Sequence, residues 1–198
     1  VKKLGPDEDL FISIGGWESL NETSTKTLSG FHSSYPLRQG MPLQDFRGQL
    51  KLKTAAFTAI SASLIATEAI SIEDAIVRLP SHAPKLSADQ DAQASDYLTL
   101  ISRDRFSPST EDPLDIELLQ FLAERGDVVR ISGDIVYPTD VYDEMQSKIL
   151  SSGADGQEIT ITSVREIFGT SRKYTLAGPE YMDSKGLTRR MGDTRFVR

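Results

Sequence analysis

The chain has 198 residues, a formal net charge of −7 and no cysteine, which excludes disulfides, thiolate metal sites and cysteine nucleophiles. Two histidines, His32 and His82, leave little material for a metal or catalytic centre, and no P-loop, GxGxxG or GxSxG pattern is present. No apolar run is long enough to span a membrane, the start VKKLGPDEDL is not a signal peptide, and Val1 in place of an initiator Met reads as the start of a fragment.

Residues 10–14 (LFISI) read as a strand, and the acidic run Asp7-Glu8-Asp9 before it reads as solubilising charge. Apolar positions at Trp17, Leu20, Leu28 and Phe31 predict a helix over 17–35. A short helix over 43–50 follows Pro42, and Leu52, Ala55, Ala56, Ala59, Ile60 and Leu64 repeat near 3.6 residues, predicting a third over 52–64. Further helices are predicted over 87–103, with Ser87 as N-cap, over 114–125, and over 138–150. A Ser/Gly-rich joint is expected at 151–156, then a short helix over 163–168 and a last one over 171–185.

Three segments repeat one plan, an apolar helix end, a turn, a strand, a tight turn and a second strand. They are 64–80, 121–138 and 181–198. In the last two, Gly126 and Gly186 stand where a left-handed helix cap is wanted, and Gly133-Asp134 and Gly192-Asp193 sit between the strands as hairpin tips. Helix, short helix, helix and two-stranded wing make a winged helix. The expected fold class is therefore α+β, mostly α, with tandem winged-helix domains in an elongated array. The boundaries are a wing remnant at 1–14 and domains at 15–82, 83–152 and 153–198.

Charge singles out the last domain. Residues 170–198 hold seven Lys/Arg and three acids, +4 in a chain of −7. That imbalance points to a polyanionic partner at one end. Arg172, Lys173 and Tyr174 open the third helix, where backbone amides also favour an anion, and Arg189, Arg190 and Arg195 lie on the wing. Strand alternation places Arg189 and Arg190 on opposite faces, leaving one of them to pair with Asp183 or Asp193. Tyr174 either stacks on a base or fills the core. The earlier domains, carrying the negative charge, read as spacers, and the two histidines and Trp17 read as structural.

The run Thr170-Ser171-Arg172-Lys173-Tyr174, then Glu180-Tyr181-x-Asp183 and Gly186-x-Thr188-Arg189-Arg190-x-Gly192-Asp193-x-Arg195, resembles the C-terminal end of the bacterial selenocysteine-specific elongation factor (SelB) family. Phe31-His32, Pro36-Leu37-Arg38-x-Gly40-Met41-Pro42, Phe46-Arg47 and Arg78-Leu79-Pro80-x-His82 resemble that family's second winged-helix domain. The resemblance implies translational GTPases that deliver selenocysteinyl-tRNA at UGA codons, with the last of four winged helices gripping the apical loop of an mRNA hairpin. On that basis Arg172, Lys173, Tyr174, Arg189, Arg190 and Arg195 are the expected RNA-binding residues, with Gly192 and Asp193 shaping the wing turn. The chain itself is expected to be a cytoplasmic monomer without enzymatic activity or cofactor, GTP and Mg²⁺ belonging to the full-length protein. The missing N-terminal part would reach selenocysteinyl-tRNA and the ribosome, and no membrane partner is expected. The alternatives are a winged-helix DNA-binding regulator and a structural interaction scaffold. One departure from the family pattern, Gly178-Pro179, is expected to weaken, kink or split the last helix.

Overall fold

The computed structural model describes residues 1–4 and 10–198, so the Asp7-Glu8-Asp9 run lies outside the described residues. The chain divides into two compact units, Val1–Leu86 and Ser87–Arg198. Their secondary structure is α+β and mostly α. Among the described residues no helix is long and apolar enough to cross a membrane.

The first unit begins with an antiparallel pair, β1 (Lys2–Leu4) and β2 (Leu10–Ile12). It continues with α1 (Ile14–Ser34), β3 (Met41–Pro42), α2 (Leu43–Leu50), α3 (Thr54–Ala66), β4 (Ser71–Glu73) and β5 (Ile76–Arg78). Helix α1 starts three residues before its apolar repeat because the Ser13 hydroxyl accepts a hydrogen bond from the Gly16 amide. β3 joins the wing to make a sheet ordered β3-β5-β4. The helices and sheet close over Leu28, Phe46, Phe57, Ile60, Leu64 and Val77. Leu4 is buried in the same core, so β1 is an integral part of this unit.

His32 and His82, 50 positions apart, meet in this unit with their rings stacked, centroids 3.7 Å apart and planes within 6°. His32 Nε2 accepts from the Leu79 amide at 3.2 Å, and His82 Nε2 lies 2.8 Å from the Arg38 carbonyl. The pair thus ties α1 to the segment leaving the wing. Burial, with the second imidazole adding to it, lowers the His32 pKa to about 4.

The second unit runs α4 (Ala88–Ser102), α5 (Ile116–Arg125), β6 (Val128–Ser132), β7 (Ile135–Pro138), α6 (Thr139–Ser152), β8 (Ile159–Thr160), α7 (Ile161–Phe168), α8 (Arg172–Ser184), β9 (Thr188–Met191) and β10 (Thr194–Val197). The order α6, β8, α7, α8, β9, β10 reproduces α1, β3, α2, α3, β4, β5. The sheets match as well, β8-β10-β9 beside β3-β5-β4. In that correspondence α6 stands where α1 does in the first unit, just before the sequence-based border between 152 and 153. A single core runs from Ile135 and Tyr137 of β7 through Val141, Met145 and Ile149 of α6 to Val164, Phe168 and Met182 of α7 and α8. Burial raises the hydroxyl pKa of Tyr142 in this core to about 12.

The stretch 151–156 is packed tightly at Gly153. A Cβ there would come within 2.6 Å of Ile159 Cδ1 and 2.9 Å of Val197 Cγ2. Two short strands, β3 and β8, escape sequence reading because two residues cannot display an alternation.

Two outcomes follow. Gly153→Ala should destabilise the second unit by about 1–3 kcal/mol, read as a lowered melting temperature. For His32 the folded pKa lies below its unfolded value, so its contribution is fully present above about pH 6.5 and is lost as pH falls towards 4. Urea unfolding followed by the fluorescence of Trp17, which packs on the first unit's core, should show a loss on the order of 3 kcal/mol across that window. His32→Gln should flatten the dependence.

Candidate nucleic-acid interface

Helix α8 carries three of the expected RNA-binding residues, and it is one continuous helix through Pro179. The expected split at Gly178-Pro179 does not occur. Ala177, Gly178 and Pro179 are buried, and a Cβ on Gly178 would lie 3.5 Å from Met145 Cε on α6. These small side chains let α8 lie close on α6. The burial of this face, with Met182 completing it, holds a helix that proline alone would weaken by roughly 3 kcal/mol.

The N-terminal end of α8 is clamped by residues 106–110. Thr170 Oγ1 donates to the Phe106 carbonyl at 3.0 Å and lies 2.7 Å from Ser107 Oγ. The Tyr174 hydroxyl donates to the Pro108 carbonyl at 2.7 Å, and its ring meets Tyr137 edge-on with centroids 6.5 Å apart. Tyr174 is therefore half-buried packing in this structure, with its hydroxyl already engaged. Lys173 Nζ donates to Asp134 Oδ2 at 3.0 Å and to Thr110 Oγ1 at 3.2 Å, reaching the tip of the preceding wing. That hydrogen bond holds the Asp134 carboxyl below the usual carboxylate range. Both ends of the pair are exposed, so it contributes little stability and leaves Lys173 available to exchange partners. Arg172 is exposed at the helix start, and its guanidinium makes no hydrogen bond or ion pair among the described residues.

The wing separates its arginines sharply. Arg195 is 2% exposed, and its Nε donates to Asp183 Oδ2 at 2.8 Å. The other oxygen, Asp183 Oδ1, accepts from Thr188 Oγ1 at 2.6 Å. Arg195 is thus a correction to the expected set. It bolts β10 to the end of α8 and has no surface to offer a phosphate. It also takes the Asp183 partnership that the sequence assigns to Arg189 or Arg190. Both of those are exposed. Arg190 Nε curls back to the Gly192 carbonyl at 2.9 Å, and Arg189 Nη2 lies 3.2 Å from Met191 Sδ. Gly192 takes φ +64° at the turn, a conformation that a side chain disfavours, and Asp193 sits beside it in solvent.

Sequence reading misses Met191 and Arg198. With Arg189, Phe196 and Val197 they line a shallow cleft of about 310 Å³ on the outer face of the wing. The strand register was the available signal, since Phe196 pairs with Arg189 and the Arg198 amide bonds the Leu187 carbonyl. The last domain therefore exposes Arg172 on the helix and, on the wing, Arg189 and Arg198 beside Met191, with Arg190 on the neighbouring position of β9. Such a set can neutralise phosphates and cover an unstacked base. Among the described residues no group of three or more His, Asp or Glu is placed to hold a metal ion.

Residues 153–197 and residues 25–79 each match a family model described as elongation factor SelB, winged helix, together just over half of the chain. A selenocysteine-specific elongation factor of Desulfomicrobium baculatum is 23% identical over 206 residues, 97% of this chain and 32% of the relative. The chain thus spans about a third of that relative's length. Among solved structures, the mRNA-binding domain of elongation factor SelB from E. coli in complex with SECIS RNA shares 24% identity, with a TM-score of 0.48 over 57% of this chain and 99% of that one. A bacterial selenocysteine-specific elongation factor, EF-Sec, shares 16% identity and a TM-score of 0.49 over 94% of this chain and 32% of that one.

Arg195→Ala should leave Asp183 without its buried partner and destabilise the second unit by about 2–4 kcal/mol in thermal unfolding. Arg189→Ala, at an exposed position, should shift stability by less than about 0.5 kcal/mol in the same measurement.

Proposed function

This chain belongs to the elongation factor SelB family, and on that premise we propose that it is the region that holds an mRNA hairpin for selenocysteine insertion. The observation that carries this reading is the match of 153–197 to a SelB winged helix that exposes Arg172 and Lys173 at the start of α8 and Arg189 and Arg190 on the wing. The relative in D. baculatum is a selenocysteine-specific elongation factor, which supports a role in recoding UGA.

In this reading phosphates of the hairpin loop meet Arg172, Arg189, Arg190 and Arg198, and a splayed base rests against Met191 and Phe196. Lys173 contributes after leaving Asp134, while Tyr174, Arg195, Gly192 and Asp193 keep helix and wing in position. The winged helix of 15–82 and the first half of the second unit set the distance between the hairpin and the body of the factor. GTP and Mg²⁺ chemistry, selenocysteinyl-tRNA and ribosome contacts belong to the rest of the full-length protein, and this stretch performs no catalysis. It works in the cytoplasm as a monomer.

The test is a salt titration of the 198-residue chain with the selenocysteine-insertion hairpin. Arg189→Ala and Arg190→Ala should each weaken binding about tenfold and reduce the slope of log K against log salt by roughly 0.7. Equal affinity for an unrelated hairpin, or stronger binding to duplex DNA, would overturn the reading.

A further inference from the structure

The negative charge of the chain is not spread over everything that precedes the basic end. Residues 87–169 hold six Lys/Arg against seventeen acids, whereas residues 1–86 hold nine of each. Within that neutral first unit, residues 46–67 contain Arg47, Lys51 and Lys53 and no acid at all. This stretch is the second half of α2, whose first turn holds the exposed Asp45, the turn and α3, the counterpart of α7, the turn and α8.

The three cations gather at one place. Lys51 is the C-cap of α2, Lys53 is the N-cap of α3, and Arg47 Nη1 donates to Thr54 Oγ1 at 3.1 Å, which brings its guanidinium to the same helix start. Lys51 and Lys53 are exposed and make no ion pair among the described residues. Around them the exposed side chains of α3 are small, Thr54, Ala55 and Thr58, so a backbone can approach closely. Lys51 also holds φ +54°, ψ +35°. The equivalent cap of α7 is Gly169, which occupies that region without strain. A lysine there keeps a cation at a conformational cost.

The corresponding place in the first half of the second unit has the opposite character. Asp115 closes the start of α5 by accepting from the Glu117 and Leu118 amides, with Asp112 and Glu117 nearby in sequence. The charge at the start of the helix that precedes each wing is thus basic at α3 and α8 and acidic at α5.

We propose that the Arg47–Lys51–Lys53 surface of the first unit is a second RNA contact, one that holds the phosphates of a double-helical segment without reading sequence. The exposed α3 face offers no Asn, Gln or Arg to a base edge, which confines the contact to the backbone. The assignment to RNA rests on the family reading above, while the patch itself does not depend on the hairpin-binding wing.

The experiment uses the 198-residue chain carrying Arg172→Ala, Arg189→Ala, Arg190→Ala and Arg198→Ala, which strips the exposed arginines from the last helix and wing, and an RNA duplex of arbitrary sequence as probe. Residual binding should persist at low salt, with a log–log salt slope of roughly −2 to −3. Adding Lys51→Gly should weaken that binding severalfold and raise the melting temperature of the first unit, because it removes a cation and relieves the left-handed strain together. Lys53→Ala should weaken binding with little change in stability. Residual binding unchanged by both substitutions would overturn the proposal, as would absence of binding at low salt. Stronger binding to a DNA duplex of the same sequence would overturn the assignment to RNA. Hairpin binding lost in Arg189→Ala and Arg190→Ala, with duplex binding insensitive to Lys51 and Lys53, would remove this inference and leave the hairpin reading intact.

Discussion

A buried arginine sets the geometry on which the basic surface depends. The Arg195 guanidinium and the Asp183 carboxylate join β10 to the C-terminal end of α8, and Thr188 holds the second carboxylate oxygen. Removing a charge pair from water is costly, so such a pair persists only with good geometry and further hydrogen bonds. Here it fixes the angle between wing and helix. The exposed cations Arg172, Arg189 and Arg190 then present from two elements whose relation is already determined, and binding need not order that angle.

The same logic governs the other end of α8. Tyr174, Thr170 and Lys173 attach it to residues 106–110 and Asp134, while Ala177, Gly178 and Pro179 let it settle on α6. The last winged helix is therefore held within the second unit along its whole third helix. A pull on the wing is transmitted through packed side chains and short hydrogen bonds, with the exposed Lys173–Asp134 pair as the weakest link.

Much of this was legible in the sequence. The 3.6-residue apolar repeats located α3, α5 and α6 to within a few residues, and the Gly-Asp pairs marked both wing tips. Composition isolated the basic end. What sequence could not supply was depth. Arg189, Arg190 and Arg195 look alike in a charge count, yet only the pairing of β10 with β8, through Arg195 opposite Ile159, turns one of them inward. Tyr174 and Lys173 acquire their partners from residues more than 35 positions away, beyond the reach of local pattern. The Gly178-Pro179 pair read as a defect because its compensation, the close approach of α6, is tertiary.

The central claim divides the arginines of the last domain into those that face RNA and one that holds the frame. Side-chain Nε–H resonances of arginine, followed by NMR as the selenocysteine-insertion hairpin is added to the 198-residue chain, test that division directly. The signals of Arg172, Arg189 and Arg190 should shift on binding, while the Arg195 signal, hydrogen-bonded to Asp183, stays in place and remains protected from exchange. A shifted Arg195 with unmoved Arg189 and Arg190 would contradict the account.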